Sequence, residues 1–300
     1  MKKVVGMGAC VLDTLINCDK YPVEDTKQKA QSIFQSGGGP VGNALVVMSK
    51  LGVRAEVIGA FGQDSAGKYL IDDFEKYGVS TKNAKVLDGK TSFTSYIVLS
   101  DDKASRTCVF DRGTVTDDID NLMLSSIDDA SVLHLDGNYL NCAIKCAEYA
   151  KQKGVKVSLD AGGLYPNIEK LLPLVDILIP SAEFSLGLTG EKDIPSAMKV
   201  LFEKYNPEVL VVTDGSRGGY YWDGKQAVHY NSLKVNAIDT NGAGDTFHGA
   251  FISAYVCGEC VAECCDFASA VSAYKCKHKG ARTYELSKEI IKQFRLAQKE

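Results

Sequence analysis

Thirteen consecutive residues carry the strongest chemical signal in this sequence: Asp239-Thr240-Asn241-Gly242-Ala243-Gly244-Asp245-Thr246-Phe247-His248-Gly249-Ala250-Phe251. Small residues lead into a helix predicted to begin near Gly244. Gly242 and Gly244 let the backbone turn tightly, so that successive N–H groups converge on one point. The helix N-terminus adds partial positive charge there. Asp245, beside the same point, is a poor phosphate ligand and a good proton acceptor. An anion hole next to a carboxylate suits phosphoryl transfer to a hydroxyl. An Asp helix cap after a glycine turn accounts for the same residues without any chemistry.

Two more segments join it. Gly37-Gly38-Gly39-Pro40-Val41-Gly42-Asn43 precedes an apolar helix, allows a ligand close to the backbone, and offers the Asn43 amide to hydroxyl groups. Thr213-Asp214-Gly215-Ser216-Arg217-Gly218 is a TxGxxG turn between two strands, suited to nucleotide phosphates, and no Walker loop is present.

The elements that must position these residues read as alternating short apolar runs and amphipathic helices. The strands are expected at Val4–Gly8, Ala55–Gly59, Ser131–Leu135, Val155–Leu159, Ile177–Ile179 and Val209–Val212. Helices are expected at Asn43–Leu51, Gly67–Tyr77, Ala143–Lys153 and Ser196–Tyr205. This pattern predicts a doubly wound, mostly parallel α/β sheet with helices on both faces. Thr14–Asn17 with Gln28–Phe34, and Ser92–Leu99 with Thr107–Phe110, alternate with period two and predict a small separate β-sheet. The 300 residues read as one domain, with a β lid built from about 12–36 and 90–112.

Composition narrows the function classes. The chain is 45% hydrophobic and 24% charged with net charge −4, which gives no general attraction to nucleic acid or anionic lipid. No stretch is long and apolar enough to span a bilayer. The apolar run after Lys2-Lys3 stops at Asp13, so a buried strand explains it better than an export signal. Ten cysteines lie mostly within apolar segments, where a thiol acts as a small hydrophobe. Cys257, Cys260, Cys264 and Cys265 include one CxxC but lack the further ligands a structural metal needs. Free thiols in a cytoplasmic protein are the expectation.

Taken in order, Asp13 after the first strand, Gly38-Gly39 before a helix, TxGxxG at 213–218 and DTxGAGDxFxGA at 239–250 resemble the ribokinase-like (PfkB) carbohydrate kinase family. The tail Ala268–Ala273, Lys275-Cys276 and Gly280-Ala281-Arg282 extends the resemblance over nearly the whole chain. The resemblance implies that Asp245 is the catalytic base and that Gly242, Ala243 and Gly244 form the anion hole. It assigns Asp13, Gly38, Gly39 and Asn43 to sugar hydroxyls, and Thr213, Gly215 and Gly218 to ATP. It further implies Mg²⁺ served by Glu183, and a potassium ion held by carbonyls around Asp239 and Asn241. Ser181-Ala182-Glu183 departs from the family's NxxE, with Ser for Asn and Glu one position early. Pro40 stands where ribokinases carry a polar side chain, often lysine, and the Gly-Gly-Gly-Pro version is closest in style to ketose-type members such as sulfofructose kinases.

The expected activity is therefore ATP-dependent phosphorylation of a primary hydroxyl on a small-molecule sugar, with a homodimer formed through the lid. A non-phosphorylated ketose or furanose ranks first. Arg112, just after Phe110-Asp111, could grip an anionic sugar. Pairing with Asp111, Asp117 or Asp118 on the surface is the expected alternative. A nucleoside is a further alternative, with Phe93, Tyr96 and Phe110 as candidate base contacts. A catalytically silent sugar-binding relative would have lost the base or anion hole, and this chain keeps both.

Overall fold

The computed structural model describes residues 2–102 and 105–298. In chain order its elements are β1 (Lys3–Met7), β2 (Val11–Cys18), β3 (Ser32–Gly38), α1 (Pro40–Lys50), β4 (Arg54–Val57), β5 (Gly59–Gly62), α2 (Ser65–Lys76), β6 (Ala84–Leu87), β7 (Thr94–Ser100) and β8 (Ser105–Asp111). There follow β9 (Val132–Leu135), α3 (Leu140–Gln152), β10 (Lys156–Ala161), β11 (Ile177–Pro180), α4 (Ala182–Thr189), α5 (Ile194–Tyr205), β12 (Val209–Thr213), β13 (Gly219–Trp222), β14 (Ala227–Tyr230), α6 (Ala243–Tyr255), α7 (Val261–Cys276) and α8 (Lys288–Ala297).

The main sheet has eight strands in the order β14-β13-β12-β11-β10-β9-β1-β4. It is parallel from β4 to β12 and ends in an antiparallel β12-β13-β14 meander. Side chains alternate between its faces, as strand geometry requires. Ile177, Ile179, Val209 and Val211 join one core with α1, α2, α6 and α7. Leu178, Leu210 and Val212 join the other with α3, α4 and α5. Covering both faces buries the parallel strands almost completely, which explains why they read as apolar runs.

The second sheet has four strands, β3-β2-β7-β8. β2 runs antiparallel to β3 from Val11↔Gly38 to Asn17↔Ser32, and parallel to β7. Asp13, Leu15, Asn17, Ser95 and Ile97 are buried along one face, while Ile33, Tyr96 and Val109 on the other are exposed.

Three differences from the sequence reading have local causes. Residues 28–31 are not strand; the ladder to β2 is made by Ser32–Gly38, so Gly37 and Gly38 pair in the sheet and only Gly39 (φ 85°) turns the chain into α1. The run expected as one strand to Gly59 breaks there, because Gly59 (φ 122°) redirects the chain into β5, which pairs with β6. β14 went unforeseen because its four residues, Ala227-Val228-His229-Tyr230, are too short to show a period.

Candidate active site

Parallel strands bring their C-terminal ends to one edge of the sheet, and that edge carries the polar groups. α6 starts beside it. Gly242 takes the left-handed conformation (φ 75°) as the residue before the helix, with no side chain capping it. Asp245 is therefore not a helix cap: it lies within the first turn, and its Oδ2 accepts a hydrogen bond of 2.6 Å from Asn43 Nδ2 on α1. Burial and the neighbouring Asp160 carboxylate raise the Asp245 carboxyl above the ordinary range, against the lowering effect of Asn43.

Asn43 is held in turn by Arg282, which the sequence reading quoted without a role. Arg282 is 1% exposed and donates from Nε to Asn43 Oδ1 (2.8 Å) and from its two terminal nitrogens to Asp73 Oδ2 (2.7 Å) and the Gly38 carbonyl (2.7 Å). Its guanidinium also stacks 5.0 Å from the Phe74 ring centroid. Accepting from Arg282 at Oδ1 fixes the Asn43 amide so that its NH₂ faces Asp245. Two glycines make room for the guanidinium, since a Cβ at Gly37 or Gly42 would lie 2.1 or 2.4 Å from it.

The predicted sugar contacts converge here. Asp13 Oδ1 accepts from Ser95 Oγ at 2.5 Å, and burial raises its carboxyl above the usual range while Ser95 and Arg282 oppose this. A Cβ on Gly38 would lie 2.0 Å from Asp13 Oδ2, and one on Gly39 would lie 2.3 Å from the Ala9 carbonyl. Glycine lets the β3–α1 corner close against the Asp13 carboxylate at position 38 and against the loop after β1 at position 39.

On the other side of the Gly242 turn lies a cavity of about 570 Å³. Thr213, Gly215 and Gly218 line it together with Ala243, Gly244 and Phe247, so the predicted nucleotide residues share one space with two of the predicted anion-hole residues. Gly215 (φ 55°) and Gly218 (φ 88°) adopt backbone conformations that favour glycine.

A layer of buried polar groups beneath the site escaped the sequence reading. Asp136, just after β9, accepts from the backbone N–H groups of Ala9 (2.8 Å), Val41 (3.3 Å) and Asn138 (2.9 Å), and burial pushes its carboxyl up to about 6. It thereby ties the loop after β1 to the first turn of α1. Asp160, near the end of β10, lies 3.2 Å from His248 Nε2, one helical turn after Asp245. Burial raises Asp160, but His248, His134 and the Gly162 N–H together hold the carboxyl low. His134 is held neutral, its pKa pushed down to about 3 by burial and His248. An acid at the end of each of two apolar runs was the available signal.

The remaining candidates fall out unevenly. Glu183 is exposed in the first turn of α4 and is not among the residues lining the cavity; Ser181 caps that helix by accepting from Phe184 N (3.0 Å). Asn241 Oδ1 accepts from Arg106 of β8 at 2.8 Å, which links the small sheet to the loop that precedes α6. The Asp239 carbonyl accepts from the ammonium of Lys275 at 2.7 Å.

Arg112 departs from expectation. It pairs with none of the three aspartates: Asp111 binds Gly113 N, Asp117 caps α3 through Asn141 N and Cys142 N, and Asp118 binds Asp120 N. Its guanidinium instead lies 5.5 Å over Phe93. Phe93 and Phe110 pair at 5.8 Å, whereas Tyr96 projects from the exposed face and cannot join them. The ten cysteines are free thiols, with Cys257 and Cys260 exposed and Cys264 and Cys265 buried. No helix among the described residues is long and apolar enough to cross a membrane.

Comparisons with known proteins give the family and the fold. Residues 1–288 match the family described as pfkB family carbohydrate kinase. An ATP-dependent ribose-1-phosphate kinase from Halopiger xanaduensis is 24% identical over 94% of this chain and 95% of its own. A ribokinase from Staphylococcus aureus is 27% identical over 84% of this chain and 85% of its own. The structure of Arabidopsis thaliana ribokinase complexed with ribose and ATP superposes with a TM-score of 0.86 at 24% identity, covering 98% of each chain. Fold, motif order and family match lead to one conclusion: the chain belongs to the pfkB family of carbohydrate kinases and is an ATP-dependent kinase.

Proposed function

We propose that this protein transfers the γ-phosphoryl group of ATP to a primary hydroxyl of a furanose or ketose, with Asp245 as general base. The observation that carries this reading is the 2.6 Å Asn43–Asp245 hydrogen bond beside the anion-hole turn. It orients one carboxylate oxygen and leaves the other for the acceptor hydroxyl.

In this mechanism Asp13, Asn43 and the Gly38-Gly39 backbone hold the sugar. Asp245 takes the hydroxyl proton as the oxygen attacks phosphorus in line. The N–H groups of the Gly242–Gly244 turn meet the charge on the transferred group, while Thr213, Gly215 and Gly218 hold the nucleotide phosphates. Mg²⁺, served by Glu183, would neutralise charge on the phosphates. The four-stranded sheet acts as a lid that excludes water, supported by the Arg106–Asn241 contact at its tip. Its outward side chains Ile33, Tyr96 and Val109 support a homodimer formed through that sheet, and the free thiols suit a reducing cytoplasm. Incubation with Mg·ATP and a panel of pentoses, hexoses and ketoses, with NMR identification of the products, tests the reading. A sugar phosphate made at a primary hydroxyl supports it, and ATP turnover on none of the sugars would count against it.

One observation favours a second reading. Arg112 is without an aspartate partner and its guanidinium stands 5.5 Å over the Phe93 ring, from where its N–H groups can meet a carboxylate, sulfonate or phosphate on the sugar. Under this reading Arg112→Ala lowers kcat/KM selectively on an anionic sugar. Under the first it changes fructose, ribose and the anionic analogue alike.

A further inference from the structure

Lys275, on the last turn of α7, is a charged side chain with 0% exposure. A buried ammonium persists only where it is paired and hydrogen-bonded. Its partner is Asp239, at the head of the anion-hole segment: Nζ donates to the Asp239 carbonyl at 2.7 Å and stands 3.6 Å from Asp239 Oδ2. Burial lowers the Lys275 pKa and the Asp239 charge opposes that lowering.

The surrounding bonds show what this ammonium braces. The N–H groups of Ile238 and Asp239 donate to the Cys276 carbonyl at 2.7 and 3.2 Å. Asp239 Oδ1 accepts from Asn241 N and Oδ2 from Gly280 N, both at 2.8 Å. Ser272 Oγ, one turn before Lys275, donates to the Ala243 carbonyl at 2.8 Å. One turn of α7 therefore grips the Asp239–Ala243 loop at both ends, with the only buried charge of that turn at its centre.

The family resemblance implied a potassium ion on the carbonyls around Asp239 and Asn241. These residues do not fit one. The Asp239 carbonyl already accepts from an ammonium, and a second cation beside it would meet direct like-charge repulsion. We propose that Lys275 is a built-in monovalent cation: it is a positioning residue that holds the anion-hole loop, and this kinase works without potassium. The proposal rests on the kinase reading above.

The test compares initial rates and thermal melting in tetramethylammonium, sodium, potassium and ammonium chlorides at equal ionic strength. The expected wild-type rate and melting temperature are the same in all four salts. Lys275→Ala should lose about tenfold to a hundredfold in kcat without potassium, as for a loop displaced by an ångström or so, with little change in nucleotide KM. Added potassium, ammonium or methylammonium should restore part of the loss and raise the variant's melting temperature. Lys275→Met, which keeps the volume, serves if the alanine variant does not fold. Marked potassium stimulation of the wild type overturns the proposal, as does a folded variant with full activity in tetramethylammonium. Failure of the kinase reading is distinguishable: no sugar is then phosphorylated in any salt, while the melting comparison still judges Lys275 by itself.

Discussion

Asn43 and Asp245, 202 residues apart in sequence, meet through a 2.6 Å hydrogen bond from the amide of one to the carboxylate of the other. α1 and α6 pack on the same face of the main sheet and bring the Gly38–Asn43 corner and the Gly242–Asp245 turn together. Arg282 sets the direction of that bond by occupying the Asn43 carbonyl oxygen.

Replacing Arg282 should therefore damage both stability and turnover. Arg282→Met leaves Asp73, the Asn43 oxygen and the Gly38 carbonyl without their buried donor and should cost about 3–5 kcal/mol in chemical denaturation. Arg282→Lys keeps the charge but cannot make the three-way fork, so it should fold and still lose activity. Wild-type turnover in the lysine variant would show that charge alone suffices.

Gly38→Ala is a milder probe. The added Cβ would sit 2.0 Å from Asp13 Oδ2 and push that carboxylate away from the sugar. The expected loss in kcat/KM for the sugar is about a hundredfold, as for a contact group misplaced by an ångström, with nucleotide binding retained. Isothermal titration with ATP and steady-state kinetics with sugar separate the two effects.

The pH profile should report the raised Asp245 carboxyl. As the proposed base Asp245 works ionised, so kcat/KM should fall as pH drops through its pKa, and that limb should lie above the ordinary carboxylate range. The groups facing Asp245 are the Asp160 and Asp13 carboxylates, which raise it, and His248 and the Asn43 amide, which lower it. Asp160→Asn removes a neighbouring negative charge and should move the limb to lower pH. A limb that stays in place would assign the titration to a different group.

If the four-stranded sheet closes on substrate, saturating sugar should slow amide exchange across 92–99, the stretch that joins Asp13 through Ser95. Exchange unaltered by sugar would make the sheet a passive extension.

Much of this was legible in the sequence because it is local. The buried strands announced themselves as apolar runs, and the glycine turn into α6 at Gly242 showed in consecutive small residues. What escaped depends on contacts between distant segments. Nothing near Arg282 in sequence says that its guanidinium reaches Asn43, Asp73 and Gly38, and nothing beside Lys275 says that it reaches Asp239. Arg112 was misjudged because three aspartates stand nearby in sequence, yet each binds backbone N–H groups instead. The surface-pair rule counts neighbours, while turn and cap chemistry had already claimed them.

The general-base role of Asp245 is tested most directly by phosphoryl transfer from ATP to the accepted sugar in Asp245→Asn beside the wild type. The variant keeps the shape of the side chain and removes the base. The expected result is an unchanged fold by circular dichroism, retained ATP binding, and turnover lower by about two to four orders of magnitude. A folded Asp245→Asn enzyme that phosphorylates the sugar at near wild-type rate would contradict it.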